Sequence, residues 1–316
     1  MLVKDLRQLL EKYSDSTVRE IVVEMYKKIP KKIKEDNGID YYLEHIEQAM
    51  DKTLKPKVEE IDFDDLSLDV SEFIGNVKAG YYFSPNRVVD KTRRSKWRVE
   101  AKRYIKGLLG ANEDNAEEAS ELLLELYETL STACGYTILV SDNPFQTLGY
   151  KQEEFLKVVF EKRFHNGYTQ KKIEEACKTI INSYVDRETV YRDLNESLVE
   201  TLQTDEAREM ALEFLSKYKS VSSDEYTRRQ KRNYATDLYL MIKLKMNDYD
   251  GGISYFLANY QERDPEITMY CLLTYYLRKE DLNSYWLREY ESALKRGIDF
   301  RNGLKEQYVE RKAKAE

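Results

Sequence analysis

The chain has 316 residues, a formal net charge of −7, 41% hydrophobic and 34% charged residues. That is enough apolar material for a folded core and too much for a disordered chain. The acidic balance argues against a protein whose main task is coating nucleic acid or an anionic membrane, and no window approaches the roughly 18 uncharged apolar residues of a membrane span.

Twelve glycines and five prolines are scarce for an all-β fold, which needs many turn residues. Abundant Glu, Lys and Leu make an all-α chain the expectation. The three cysteines, Cys134, Cys177 and Cys271, are far apart, give no zinc-binding spacing, and suit reduced thiols in the cytoplasm.

The opening MLVKDLRQLLEKY reads as a short charged amphipathic helix, so no secretory leader is expected. Ser14 then caps a helix to Pro30, with Val18, Ile21, Val22, Met25 and Ile29 at helical spacing on one apolar face. Ile39 to Thr53 forms the next helix, with Tyr42, Leu43, Ile46 and Met50 facing inward. Asp62 to Tyr82 is an acidic helix that buries Phe63, Leu66, Val70, Phe73, Ile74, Val77 and Tyr81. A basic helix follows, from Lys91 or Ser95 to Leu109, with Trp97, Ala101, Tyr104, Ile105 and Leu108 on its apolar side. Glu113 to Cys134 is acidic again.

Residues 135–150, GYTILVSDNPFQTLGY, are the one long passage without helical spacing. Thr137 to Val140 reads as a short strand or a buried loop, and Asn143-Pro144 as a turn. A division into an N-terminal region of residues 1–140 and a C-terminal region of 141–316 is placed here. Short helices then succeed one another to the C-terminus. Asp264-Pro265 marks one start, and Gly297 after Lys295 and Arg296 marks one stop. Short connections imply antiparallel helix pairs, and many pairs in succession imply an α-solenoid with degenerate repeats. Neither the tetratricopeptide nor the ankyrin pattern recurs.

Four patterns invite a chemical reading. Asn86 to Lys106 holds nine bases against two acids, between acidic stretches on either side. Arg93, Arg94, Lys96, Arg98, Lys102 and Arg103 are its candidate nucleic-acid contacts. The competing reading is a solvated helix neutralised by its acidic neighbours, with Trp97 and Tyr104 in the core. A shorter run, Arg228, Arg229, Lys231 and Arg232, carries the same reading more weakly. The chain has 26 tyrosines. Near the C-terminus Tyr255, Tyr270, Tyr276 and Tyr285 with Trp286 suggest either half-covered helix packing or a protein-binding surface. Acidic groups at Asp62, Asp64 and Asp65, and around Asp248, fail the calcium-loop spacing. Glu117, Glu121 and Glu125 fit a solvated face better than acid–base chemistry.

Histidine-centred catalysis has only His45 and His165 to draw on, and no nucleotide-binding or nucleophile-elbow motif occurs. The sequence thus leads to a cytoplasmic protein-interaction or scaffold module without catalysis, cofactor or metal, whose partner is another protein. Nucleic-acid binding through the basic helix is the first alternative, and an enzyme of unfamiliar type is the second.

Overall fold

The computed structural model describes residues 9–30, 33–34, 39–44 and 62–315. Its contacts group the chain into two units, Met1–Ile61 and Asp62–Glu316.

In the first unit, α1 spans Asp15–Lys28 and α2 spans Ile39–Glu44. The Ser14 hydroxyl accepts from the Thr17 amide at 3.4 Å, and Lys27 and Lys28 lie at the negative end of the α1 dipole. The Tyr26 hydroxyl donates to Asp40 at 2.5 Å, joining the two helices. No residue of α1 is buried, and Val22 and Met25 of its apolar stripe are exposed. Val18, Ile21 and Ile29 of the same stripe are half-buried. Ile46, Met50 and His45 lie outside the described residues.

The second unit is helical throughout, with no strand among the described residues. Its N-terminal helices are α3 (Phe63–Lys78), α4 (Lys91–Ser95), α5 (Trp97–Leu109), α6 (Ala116–Gly135) and α7 (Pro144–Leu148). A central series follows as α8 (Gln152–Phe164), α9 (Gln170–Asn182), α10 (Tyr191–Thr201) and α11 (Asp205–Lys217). The chain continues through α12 (Glu225–Lys245), α13 (Tyr249–Asn259) and α14 (Pro265–Cys271). A π-helical turn, Leu272–Tyr276, precedes α15 (Asn283–Lys295) and α16 (Asn302–Ala315). Residues 137–140 form the loop of the two readings, a series of bends in which only Leu139 is buried.

Starts are fixed by side-chain caps on otherwise unpaired amides. Asp62, Asp90, Thr169, Thr204, Asp224 and Asp264 each accept from a backbone N–H of the first turn. Between α6 and α12 several helices pack on the one two places later, and α12 packs on its successor α13. The contacts run α6 to α8, α8 to α10 and α10 to α12, while α9 packs on α11 and both reach α12.

One continuous apolar cluster runs from Leu66 to Ile242. A second cluster runs from Leu240 to Leu304 around Trp286, Tyr290 and Phe300. On α12, Leu238 and Ile242 belong to the first cluster and Leu240 to the second. The turn from α12 to α13 places Asn247 at φ 61°, a left-handed conformation that Asn tolerates. Asp248 accepts from the Gly251 amide at 3.1 Å and pairs with Lys243 at 2.7 Å. That pairing makes it a helix cap, in place of a calcium ligand. A Cβ on Gly252 would lie 2.9 Å from that of Lys243, so glycine lets α12 and α13 approach closely.

Candidate anion-binding groove

The acidic neighbours neutralise the basic stretch in part. Arg93 donates to Glu100 at 3.2 Å and to Glu72 at 3.1 Å, and Arg103 to Asp69 at 2.7 Å. Arg94 turns its guanidinium onto the Val89 carbonyl. Trp97 and Tyr104 are buried, which removes the aromatic half of a stacking surface. Lys96, Arg98 and Lys102 are exposed and have no ion pair among the described residues. Arg98, Lys102 and Lys106 follow one another a turn apart on α5.

The tyrosines turn most of their area inward. Tyr255 stacks on Tyr239 with ring centroids 3.6 Å apart. Tyr270 lies beneath Arg301, and Tyr285 beneath Arg288. Tyr276 meets Asp237. Trp286 is fully buried and donates to the Leu273 carbonyl at 3.2 Å, so it packs in the core and offers no surface.

Glu117 and Glu121 are likewise committed. Arg163, fully buried between α6, α8 and α9, donates to Glu117 at 2.6 Å, Glu121 at 3.2 Å and Glu175 at 2.8 Å. The Lys172 ammonium beside Glu117, with Arg163 adding to it, holds that carboxyl below its ordinary range. His165 approaches Glu113 at 3.3 Å on the surface. Among the described residues no group of His, Cys, Asp and Glu is arranged to hold a metal.

A concave region that does gather polar groups lies at the connector between α11 and α12. Two serines shape this connector: the Ser220 hydroxyl accepts from the Ser222 amide, and the Ser222 hydroxyl from the Asp224 amide, both at 3.3 Å. Asp224 then caps α12 through the Thr227 amide at 2.7 Å. The bend leaves Val221 wholly exposed at its crest.

A groove opens on each side of the connector. Toward α9 lies one of about 790 Å³, with Phe214 and Tyr218 on its floor and Glu174, Glu213, Lys178 and Lys231 at its rim. Toward α12 and the end of α13 lies one of about 490 Å³. Lys217 and Lys219 face Arg228, Arg229 and Arg232 across it, and Glu225 is its one acid.

Several of these cations lack a carboxylate. Arg232 donates to the neutral amide oxygen of Asn259 at 3.3 Å, and Arg229 lies over the Tyr226 ring. Arg228 and Lys219 are exposed with no ion pair among the described residues. Lys217 is balanced by Glu213 at 2.6 Å. Comparison with protein-family models, with curated proteins and with solved structures finds no match to this chain. The chemistry on offer is anion binding. Tyr255 faces the groove, but burial pushes its hydroxyl above the ordinary tyrosine range, so it serves as a neutral hydrogen-bonding group.

The sequence pattern contains half of this groove. The run from Arg228 to Arg232 is visible as a charge cluster, and its one-turn spacing puts Arg228 and Arg232 on one helix face. Lys217 and Lys219 carry no such signal, because only the fold of the serine-rich connector brings them opposite α12.

Proposed function

We propose that this chain is a cytoplasmic, non-catalytic protein-interaction module, built of stacked antiparallel helix layers in the manner of an α-solenoid. Its partner is an acidic, extended segment of another protein, laid across the connector between α11 and α12. The observation that carries this reading is the meeting of two grooves at one crest, one floored by aromatic rings and the other walled by cations. An apolar anchor on Phe214 and Tyr218 with an acidic flank against Arg228 and Arg232 matches that arrangement. The second-neighbour packing from α6 to α12 supports the stacked-layer reading. The three unbonded thiols support the reducing compartment.

The test is selection of random displayed peptides on the full chain. The expected result is enrichment of acidic peptides with one large apolar residue, lost on a Phe214→Glu variant and weakened by salt. A selection that enriches nothing, or that enriches equally on the variant, overturns the reading.

The exposed stripe Arg98, Lys102 and Lys106 favours a second reading, nucleic-acid contact by α5. A low-salt gel shift is expected to vanish in an Arg98→Glu/Lys102→Glu variant. No shift at low salt ends that reading.

A further inference from the structure

Resting on the peptide-binding reading above, we infer that the smaller groove recognises a phosphate ester carried by the bound segment: the partner is a phosphorylated peptide. The argument begins with charge. Around a cavity of about 490 Å³ stand Lys219, Arg228, Arg229 and Arg232, with Lys217 already paired to Glu213 and Glu225 the one acid in the lining. An aspartate or glutamate from a partner brings one negative charge, whereas a phosphate monoester brings about 1.5 to 2 and three strong acceptor oxygens. A phosphate therefore concentrates at one point the charge that would otherwise take two carboxylates.

The geometry adds direction. Arg228 and Arg232 stand one turn apart on α12, while Lys219 comes from the connector across the groove. The lining thus draws donors from two elements, α12 and the connector. Neutral partners also set these groups apart from surface ion pairs. The Asn259 amide holds the Arg232 guanidinium at 3.3 Å without cancelling its charge. Guanidinium groups of this kind bind phosphate through paired N–H donors.

The surroundings argue against a nucleic-acid strand in this groove. A polyphosphate chain needs a continuous cationic track. Beyond the connector that track is interrupted, because Glu174 and Glu213 on the rim of the neighbouring groove neutralise Lys178 and Lys217. One compact cationic site beside an apolar floor suits a single phosphate on a peptide.

The experiment passes a degenerate peptide library, in matched phosphorylated and unphosphorylated forms, over the immobilised full chain. The phosphorylated form is expected to bind about tenfold more tightly, a difference worth about 1.4 kcal/mol. Arg228→Ala/Arg232→Ala should weaken both forms and reduce the preference for the phosphorylated one to less than about twofold. Lys219→Glu, on the opposite wall and outside any helix, should do the same and guards against a folding defect in the first variant.

Equal retention of both forms refutes the phosphate inference and leaves the peptide reading standing. Retention of neither refutes both. A preference that survives both variants places the phosphate elsewhere and overturns the proposal. Displacement of the phosphopeptides by inorganic phosphate at equal concentration identifies a free-anion site, and displacement by a single-stranded oligonucleotide identifies a nucleic-acid site. Either result also overturns it.

Discussion

Asp237 faces inward from α12 with its Oδ1 sealed from solvent and unbonded, and the Tyr276 hydroxyl meets the carboxylate. Burial pushes the Asp237 carboxyl up to about 7. An unfolded aspartate titrates near about 3.9. The folded protein therefore retains a proton that the unfolded chain releases between those values. Stability falls as pH rises through that window, and the loss is complete above about pH 7, on the order of 4 kcal/mol. Asp237→Asn should remove the pH dependence and stabilise the protein at pH 8. Urea unfolding at pH 5 and pH 8 checks this; equal slopes in both proteins contradict it.

Arg163 is the opposite case, a buried charge with several partners. Removing one side of a fully buried pair costs about 3–5 kcal/mol. Glu117 and Glu121 are half-exposed and regain water when the guanidinium goes, so Arg163→Ala should cost less, about 2–3 kcal/mol. A urea midpoint indistinguishable from wild type would show that the cluster is decorative.

At the scale of the element, the helix starts were legible because caps have a local cause. Thr204, Asp224 and Asp264 each stand where a short polar side chain meets unpaired amides, and the sequence shows both. The apolar stripe of α5 was legible for the same reason: Trp97, Ala101, Tyr104, Ile105 and Leu108 are all buried. The break at Lys96 between α4 and α5 was not, since neither glycine nor proline marks it. The five-residue helix α7 is too short to show a period, and the π-helical turn Leu272–Tyr276 carries no local mark, its Leu273 carbonyl accepting from Trp286 far along the chain.

Two glycines separate local propensity from packing. Gly75, mid-helix in α3, has nothing within 4 Å of an added Cβ, and Gly75→Ala should stabilise by up to about 1 kcal/mol. Gly252 gains the same propensity, but its Cβ would meet Lys243 at 2.9 Å and Leu240 at 3.1 Å. Overpacking of this kind costs about 1–3 kcal/mol, so Gly252→Ala should be destabilising overall. Thermal melts decide: a stabilised Gly252→Ala would mean that α12 and α13 separate at little cost.

At the scale of the whole molecule, the candidate site was half visible. Charge runs can be counted in a sequence, whereas the approach of Lys219 to Arg228 depends on a connector whose course is set by its serines. The apolar clusters of the second unit begin at Leu66.

Leu240 turns to one side of α12, and Leu238 and Ile242 to the other. The helix is a party wall, and neither room stands if it is taken down. The chain's two tryptophans happen to be sealed one in each room, Trp97 and Trp286. Each is thus a private lamp for its own side. With either replaced by Phe, the fluorescence of the other should dim along the same denaturant curve, and two separated curves would mean that the wall yields one room at a time.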